Sequence, residues 1–347
     1  MTGEPGGTDQ RRLRVGLAGL GTMGRNHLRN LLARDDVDVV GIADPSAAAC
    51  AAAAVQAPRA IAFSDPMTML AQERLDAVIV AAPTTLHHGI ALAAMANGAA
   101  VLVEKPLAAT VAEARDLVRA ASNQGVLLQV GHIERFNPAV LELIRRLRDG
   151  ALSRIFSVRT IRAGPLPERI RDIGVAVDLA THDLDIVCHL LGERPVRAYA
   201  ESTHHVHTAH EDLIYGLLAF PSGVLGQLDV NWLTPEKQRR IVVLGEEGMF
   251  TVDYLSQSLT FTRGARALAP TYLDGYAPII VGESRTLPVM PAEPLGLQLD
   301  AFLSAVRSGG PSLVTGEEGL WAVALASTLL RSAAEHRPIE IDPLEVG

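Results

Sequence analysis

The 347-residue chain has only two cysteines, Cys50 and Cys188, and both lie in apolar stretches with a helical pattern. Two such residues make no disulfide framework; they read as reduced structural thiols in a cytoplasmic protein. Aromatic residues are also scarce, at 4%, against 48% hydrophobic residues in all, a balance suited to aliphatic packing of helices on sheets. No lysine- or arginine-rich block occurs and the formal net charge is −8, which argues against nucleic acid or an anionic membrane surface as the main partner. No apolar run reaches the roughly 20 residues of a membrane span. Arg11-Arg12 before an apolar stretch has the look of a twin-arginine export signal. That stretch, however, is needed as the first strand of the fold, so residues 1–12 are expected to be a disordered polar tail.

What is present is a dinucleotide fingerprint. Leu13–Ala18 reads as a buried parallel strand, followed at once by Gly19-Leu-Gly21-Thr22-Met23-Gly24. A helix through Ala33, a second strand over Val37–Ala43 and an acid, Asp44, come next, the acid 20 residues beyond Gly24. In this pattern Gly19 permits the tight turn, Gly21 lets the backbone approach a pyrophosphate, and Gly24 lets helix and strand pack closely. Thr22 and Met23 open the helix, whose N-terminal N–H groups suit phosphate. Asp44 is placed to accept hydrogen bonds from the ribose hydroxyls of NAD and to repel the extra phosphate of NADP, and Pro45 and Ser46 after it supply no compensating cation. Two alternatives stay open: Asp44 capping a helix that starts near Ser46, or Arg25 reaching round to a phosphate.

Strand and helix patterns alternate to about residue 150, with strands expected near 60–63, 75–82, 100–103 and 126–130. This predicts a doubly wound parallel sheet, a Rossmann domain over 13–131. From Ile155 onward the pattern changes to strand-like runs at 155–162, 196–202, 214–220, 224–232, 240–244 and 248–252, interrupted by one helix, Val175–Leu191. Residues 132–347 are therefore expected to form an α+β domain with an open, mainly antiparallel sheet, serving substrate binding and oligomerisation. Residues 264–294 read as a long loop, and helices are expected at 298–306 and 317–335, the last one packing back on the Rossmann domain.

Together, Gly19–Gly24, Pro83-Thr-Thr-Leu-His87, Glu104-Lys105-Pro106 and Asp178-Leu-Ala-Thr-His182-Asp-Leu-Asp185 resemble the glucose–fructose oxidoreductase, inositol dehydrogenase and rhizopine-catabolism family over nearly the whole chain. Val130-Gly-His-Ile-Glu-Arg-Phe-Asn-Pro138 and the Asp178–Asp185 run are similar to its nucleotide-sugar branch. The resemblance implies an NAD-dependent oxidation of a secondary hydroxyl, at C3, of a nucleotide sugar such as UDP-N-acetylglucosamine. A dehydrogenase of free inositol or hexose is the alternative within enzymes, and a catalytically silent NAD- or sugar-binding regulator is the alternative outside them. It also implies a cis peptide before Pro106, and a homodimer or homotetramer joined through the second sheet; the alternating run Val224–Trp232, which leaves an apolar face uncovered in a monomer, points the same way and places Trp232 or its strand neighbours in the interface.

The site residues follow from both sources. Lys105, at the carboxyl end of a strand, faces the ligand crevice of a doubly wound sheet, where an ammonium steadies developing alkoxide charge. Asp178 and His182, four apart on a helix, share a face; His182 suits general-base work and Asp178 suits orienting the imidazole or the substrate. Asp185 is read as pinning the helix to the sheet. A metal triad of the three is set aside, because hydride transfer to NAD needs no metal. The run His204-His205-Val-His207-Thr-Ala-His210 is likewise read as strand or turn alternation. Resemblance places Pro83, Thr84, His87, Glu104 and Lys105 with the cofactor, and Arg135, Phe136 and Asn137 beside the substrate. Arg162, with Arg159 and Arg169, adds positive charge suited to an anionic substrate; for the 135–137 trio, a helix-capping and packing cluster is the competing reading.

Overall fold

The structure, a computed structural model, describes residues 11–166, 173–206, 209–264 and 282–342. The chain divides into two units. One holds the chain up to Gly131 together with Leu295–Gly319; the other holds His132–Pro294 and the chain from Leu320 on.

The first unit is built on β1 (Leu13–Ala18), β2 (Val37–Ala43), β3 (Ile61–Phe63), β4 (Ala77–Val80), β5 (Ala100–Glu104) and β6 (Leu128–Gly131). All pair in parallel, in the order β3-β2-β1-β4-β5-β6, the doubly wound arrangement expected from the sequence. Val15, Leu17, Ile79 and Leu102 are fully buried, as strands covered on both faces require. The connecting helices are α1 (Thr22–Leu32), α2 (Ala47–Gln56), α3 (Pro66–Gln72), α4 (Thr84–Ala96) and α5 (Val111–Gln124). Of these α3 is short and went unread in the sequence, although Asp65 caps it by accepting from the Thr68 N–H and Pro66 starts it. The expected tail is shorter than 1–12: Arg11 pairs with Asp76, just before β4, and Arg12 with Asp38 of β2, which tie both residues to the strands flanking β1. Residues 1–10 lie outside the described residues.

The second unit opens with a 3-10 turn (Ile133–Phe136) and α6 (Pro138–Arg148). Its sheet comprises β7 (Ile155–Pro165), β8 (Arg197–Thr203), β9 (Leu213–Ala219), β10 (Leu225–Asn231), β11 (Leu233–Gly245), β12 (Gly248–Asp253), β13 (Ser258–Arg263), β14 (Ser284–Leu287) and β15 (Ile339–Glu340), in the order β14-β13-β12-β11-β7-β10-β9-β8-β15. Every pairing is antiparallel except that of β7 with β10. A π-helical turn (Ala176–Ala180) leads into α7 (Thr181–Leu191). The sequence reading missed β13 and β14. The first alternates Leu259 and Phe261 with threonines over only six residues, and β14 is a short, mostly exposed edge strand within the stretch expected to be loop. Residues 265–281 of that expected loop lie outside the described residues.

Sheet parity decides which side chains are covered. Ile214, Leu218, Leu228 and Val230 are buried, whereas Tyr215, Leu217 and Leu225, on the opposite face of the same strands, are about half exposed. Trp232, in the bend between β10 and β11, is 3% exposed and so does not belong to the open face; of the expected pair, Trp232 or its strand neighbours, only the neighbours such as Leu225 stand on that face.

The helix α8 (Pro294–Ser308) contributes Leu299, Phe302 and Leu303 to the first unit's core, beside Leu13, Val15, Leu28 and Leu31. It is thus α8, rather than the last helix α9 (Gly316–Glu335), that returns wholly to the first unit's core; α9 begins there and continues in the second unit.

Candidate active site

The glycine loop joins β1 to α1. Gly19 has φ +96°, and a Cβ there would stand 2.5 Å from the Ala81 carbonyl oxygen; one on Gly24 would stand 1.9 Å from the Gly19 oxygen. Only glycine fits at either position. A Cβ on Gly21 would meet nothing within 4 Å, so the missing side chain serves no internal packing and leaves bare backbone at the start of α1. No side chain caps that helix terminus. Its N–H groups and dipole thus suit a pyrophosphate, and Thr22 and Met23 stand at that terminus.

Asp44 ties the loop down. Its Oδ2 accepts from the Leu20 N–H at 2.7 Å and its Oδ1 from the Ser46 N–H at 2.9 Å. The helix α2 is capped instead by Ser46, whose hydroxyl accepts from the Ala49 N–H. A carboxylate oxygen accepts more than one hydrogen bond, so Asp44 keeps acceptor capacity for ribose hydroxyls. The Arg25 guanidinium donates to the Leu20 carbonyl at 3.2 Å, a contact with the loop itself.

At the end of β5 stand Glu104, Lys105 and Pro106, and the Lys105–Pro106 peptide is cis, as the resemblance implies. Glu104 is buried against Gly131 of β6, where a Cβ would come within 3.1 Å of it. Its Oε1 lies 2.7 Å from Nε2 of the fully buried His27 on α1. Burial alone would push the Glu104 carboxyl up, but the His27 hydrogen bond and the nearby charge of Lys105 win, and it stays below the usual carboxylate range. His87, on α4, is 1% exposed, with Nδ1 2.9 Å from the Pro106 carbonyl and Nε2 2.9 Å from the Ala82 carbonyl. Burial holds its pKa below the ordinary histidine value, despite both carbonyls, which leaves the neutral ring one N–H to share between them. Glu104 Oε1 and both ring nitrogens of His87 therefore face protein groups. Pro83 precedes α4 and Thr84 is its buried first residue.

In the second unit, Asp178 lies in the π-helical turn and is 8% exposed; His182 follows in the first turn of α7. Glu211, which the sequence reading missed, fixes this segment's entry: its Oε1 accepts from the Ala176 N–H at 3.0 Å, and its carbonyl from the Val175 N–H. The arginines expected at the substrate are each paired with carboxylates. Arg135 is buried in a two-pronged pair with Asp185, Nε to Oδ2 at 2.7 Å. Arg162 is buried between Asp183, at 3.1 Å, and Glu134, at 3.0 Å, with the Tyr254 ring stacked on its guanidinium. Asn137 caps α6 and donates to the Tyr254 carbonyl at 3.1 Å, and Phe136 is buried. This favours the capping and packing reading for the 135–137 trio. Arg159 is exposed on β7, and Arg169 and His207 lie outside the described residues. Among the described residues, no group of three or more His, Cys, Asp and Glu side chains is disposed to hold a metal.

Asp183 illustrates the cost of this burial. One arginine faces two carboxylates here, and burial, only partly offset by Arg162, pushes the Asp183 carboxyl up to about 6. A signal for such groups existed in the sequence. His27 shares a stripe with Gly24, Leu28 and Leu31, and Asp183 and Asp185 flank Leu184 in an apolar helix, so all three were due to be buried and to need partners.

Comparison with known proteins agrees with this architecture. Residues 13–132 match the family model described as "Oxidoreductase family, NAD-binding Rossmann fold", and residues 140–251 match the GFO/IDH/MocA C-terminal domain. The chain is 29% identical over 316 residues to UDP-N-acetylglucosamine 3-dehydrogenase of Acidithiobacillus ferrooxidans, covering 90% of this chain and 95% of the relative. It is also 29% identical over 347 residues to inositol 2-dehydrogenase 2 of Saccharopolyspora erythraea, covering 95% and 96%. A crystal structure of the Acidithiobacillus enzyme superposes with a TM-score of 0.80 at 26% identity, over 93% of this chain and 98% of that one.

The raised Asp183 pKa has a defined sign. The folded state takes up a proton that the unfolded chain, with an ordinary carboxyl, releases near pH 4. This contribution to stability is present below pH 4 and is lost as pH rises through about 6. Asp183→Asn should remove a pH dependence on the order of 1–3 kcal/mol between pH 4 and 7, read as melting temperature against pH for variant and wild type. Parallel curves would contradict the assignment.

Proposed function

The chain belongs to the GFO/IDH/MocA oxidoreductase family, as an NAD-dependent dehydrogenase acting on a CH–OH group of a sugar or polyol, and from that premise we propose a more specific reaction. The substrate is a nucleotide sugar of the UDP-N-acetylglucosamine type, and the hydroxyl oxidised is the one on C3. The likeness to the Acidithiobacillus enzyme supports this substrate class.

The observation that carries the reading is Lys105. Of the 31 basic residues in the chain only Lys105 and Lys237 are lysines, and one of the two stands at the carboxyl end of β5, straight after a buried acid. Arginine would bring a fixed, wide guanidinium there; an ammonium is a compact donor that follows a developing negative charge on one oxygen. Lys105 is assigned to hydrogen-bond the reacting oxygen, His182 to take the hydroxyl proton as general base, and Asp178 to orient the imidazole or the sugar. NAD, when bound, accepts the hydride from the substrate carbon. The glycine loop with Thr22 and Met23 would hold its pyrophosphate and Asp44 its adenosine ribose.

A second reading, a free inositol or hexose as substrate, draws support from Arg135 and Arg162, whose guanidiniums are neutralised by Asp185, Asp183 and Glu134 rather than turned to a diphosphate. We also assign a cytoplasmic location, and a homodimer or homotetramer joined through the open sheet face that carries Tyr215, Leu217 and Leu225. Light scattering at micromolar concentration should return at least twice the 36.9 kDa chain mass; a clean monomer would remove the assembly.

The reaction is tested by following NADH absorbance with UDP-N-acetylglucosamine, myo-inositol and glucose as substrates. Turnover with the nucleotide sugar alone supports the first reading; turnover with a free polyol alone transfers the assignment to the second. Lys105→Ala and His182→Ala should each lower kcat on the order of a hundredfold with NAD affinity retained; near-normal turnover of either removes its role. NAD should bind more tightly than NADP, and Asp44→Ala should narrow the gap. Equal dissociation constants in the wild type would contradict the role given to Asp44.

A further inference from the structure

Beyond Glu104 the chain leaves β5. The last ladder pairing is Glu104 with Gly131, so the backbone carrying Lys105 is no longer held by the sheet. Two buried histidines reach this turn from different helices. His27, on α1, meets Glu104 immediately before Lys105. Its Nδ1 has no partner, so the ring's one polar contact is the one with Glu104, to which Nε2 donates. His87, on α4, stands between the carbonyl of Pro106, immediately after Lys105, and that of Ala82, just past β4; its neutral ring has one N–H, which on Nδ1 donates to Pro106.

Stability alone does not call for this arrangement. Burying a carboxylate and two imidazoles costs desolvation that apolar side chains of the same volume would avoid. These polar groups converge on the two residues flanking Lys105. A displacement of about 1 Å of a catalytic group is enough to cost on the order of a hundredfold in rate. Lys105, with four rotatable side-chain bonds, depends on a fixed backbone at its root.

We propose that His27 and His87 are positioning residues that clamp the Glu104–Lys105–Pro106 turn from two sides, His27 through the Glu104 carboxylate and His87 through the Pro106 carbonyl, and so set where the Lys105 ammonium stands. The inference rests on the assignment of Lys105 to the reacting oxygen. It gives α1, the helix that offers its N-terminus to the cofactor, a direct link to the turn that carries the reacting amine.

Four substitutions separate positioning from bulk. His27→Phe and His87→Phe keep a ring and lose the donors. His27→Gln keeps a donor near the position of Nε2, and His87→Asn one near Nδ1, facing Pro106. The Phe variants should lose about tenfold or more in kcat with the NAD dissociation constant unchanged. The Gln and Asn variants should recover most of that loss, and His88→Ala, which removes a half-buried neighbour paired with Asp116, should leave kcat unchanged. A second readout needs no substrate. After reductive 13C-methylation the two lysines give separate NMR signals, and the Lys105 signal should shift in the Phe variants while that of Lys237 stays. Wild-type kcat and an unmoved Lys105 signal in the Phe variants would overturn the clamp. Should those variants fail to fold, His87→Asn against His87→Gln decides. The first keeps the donor toward Pro106 and the second the donor toward Ala82, so a higher kcat for the first supports the clamp and an equal or lower one overturns it. Lys105→Ala, run alongside, keeps the two ideas apart. Normal turnover there removes the premise about Lys105, whereas lost turnover there with normal Phe variants removes only the clamp.

Discussion

A carboxylate cannot be buried at the end of a parallel strand without a donor, and Glu104 is buried there. Much of the first unit answers that constraint. Glycine at 131 makes room on the neighbouring strand, His27 comes from α1 to donate, and Lys105 brings positive charge next along the chain. The helix that supplies His27 also starts bare, without a side-chain cap, and Gly19, Gly21 and Gly24 secure that by three different means: a positive φ, an open approach and a close backbone crossing. The glycine loop and the Glu104–Lys105–Pro106 turn are therefore parts of one packed arrangement rather than two motifs that share a domain.

The second unit meets the same constraint differently. Its helix α7 carries Asp183 and Asp185 on faces that must be buried, and each is matched by an arginine from the surrounding elements, Arg162 from β7 and Arg135 from the turn before α6. Such pairs contribute little net stability once desolvation is counted, but breaking one by removing a single partner is costly. They fix how the segment bearing Asp178 and His182 is held, with Glu211 at its entry.

Much of this was legible in the sequence. The period-2 and buried-run patterns marked the parallel sheet and most strands of the second one, and glycine spacing marked the loop that Asp44 ties down, because those signals depend on local backbone needs. The charged partners were not legible. Arg135 and Arg162 look in sequence like ligands for an anion, and nothing local says that acids 50 and 21 residues away will occupy them. Trp232 failed for a simpler reason: it falls in the bend after β10, where strand alternation no longer assigns a face. The strand β14 lies at a sheet edge with little apolar pattern, so pairing rather than composition defines it.

The most direct test is a crystal structure of the NAD complex. The account predicts the pyrophosphate on the N–H groups at the start of α1, the adenosine ribose hydroxyls on the Asp44 carboxylate, and the nicotinamide on the side of Lys105. A pyrophosphate bound away from the Gly19–Gly24 loop, or a nicotinamide out of reach of a substrate held by Lys105, would contradict it.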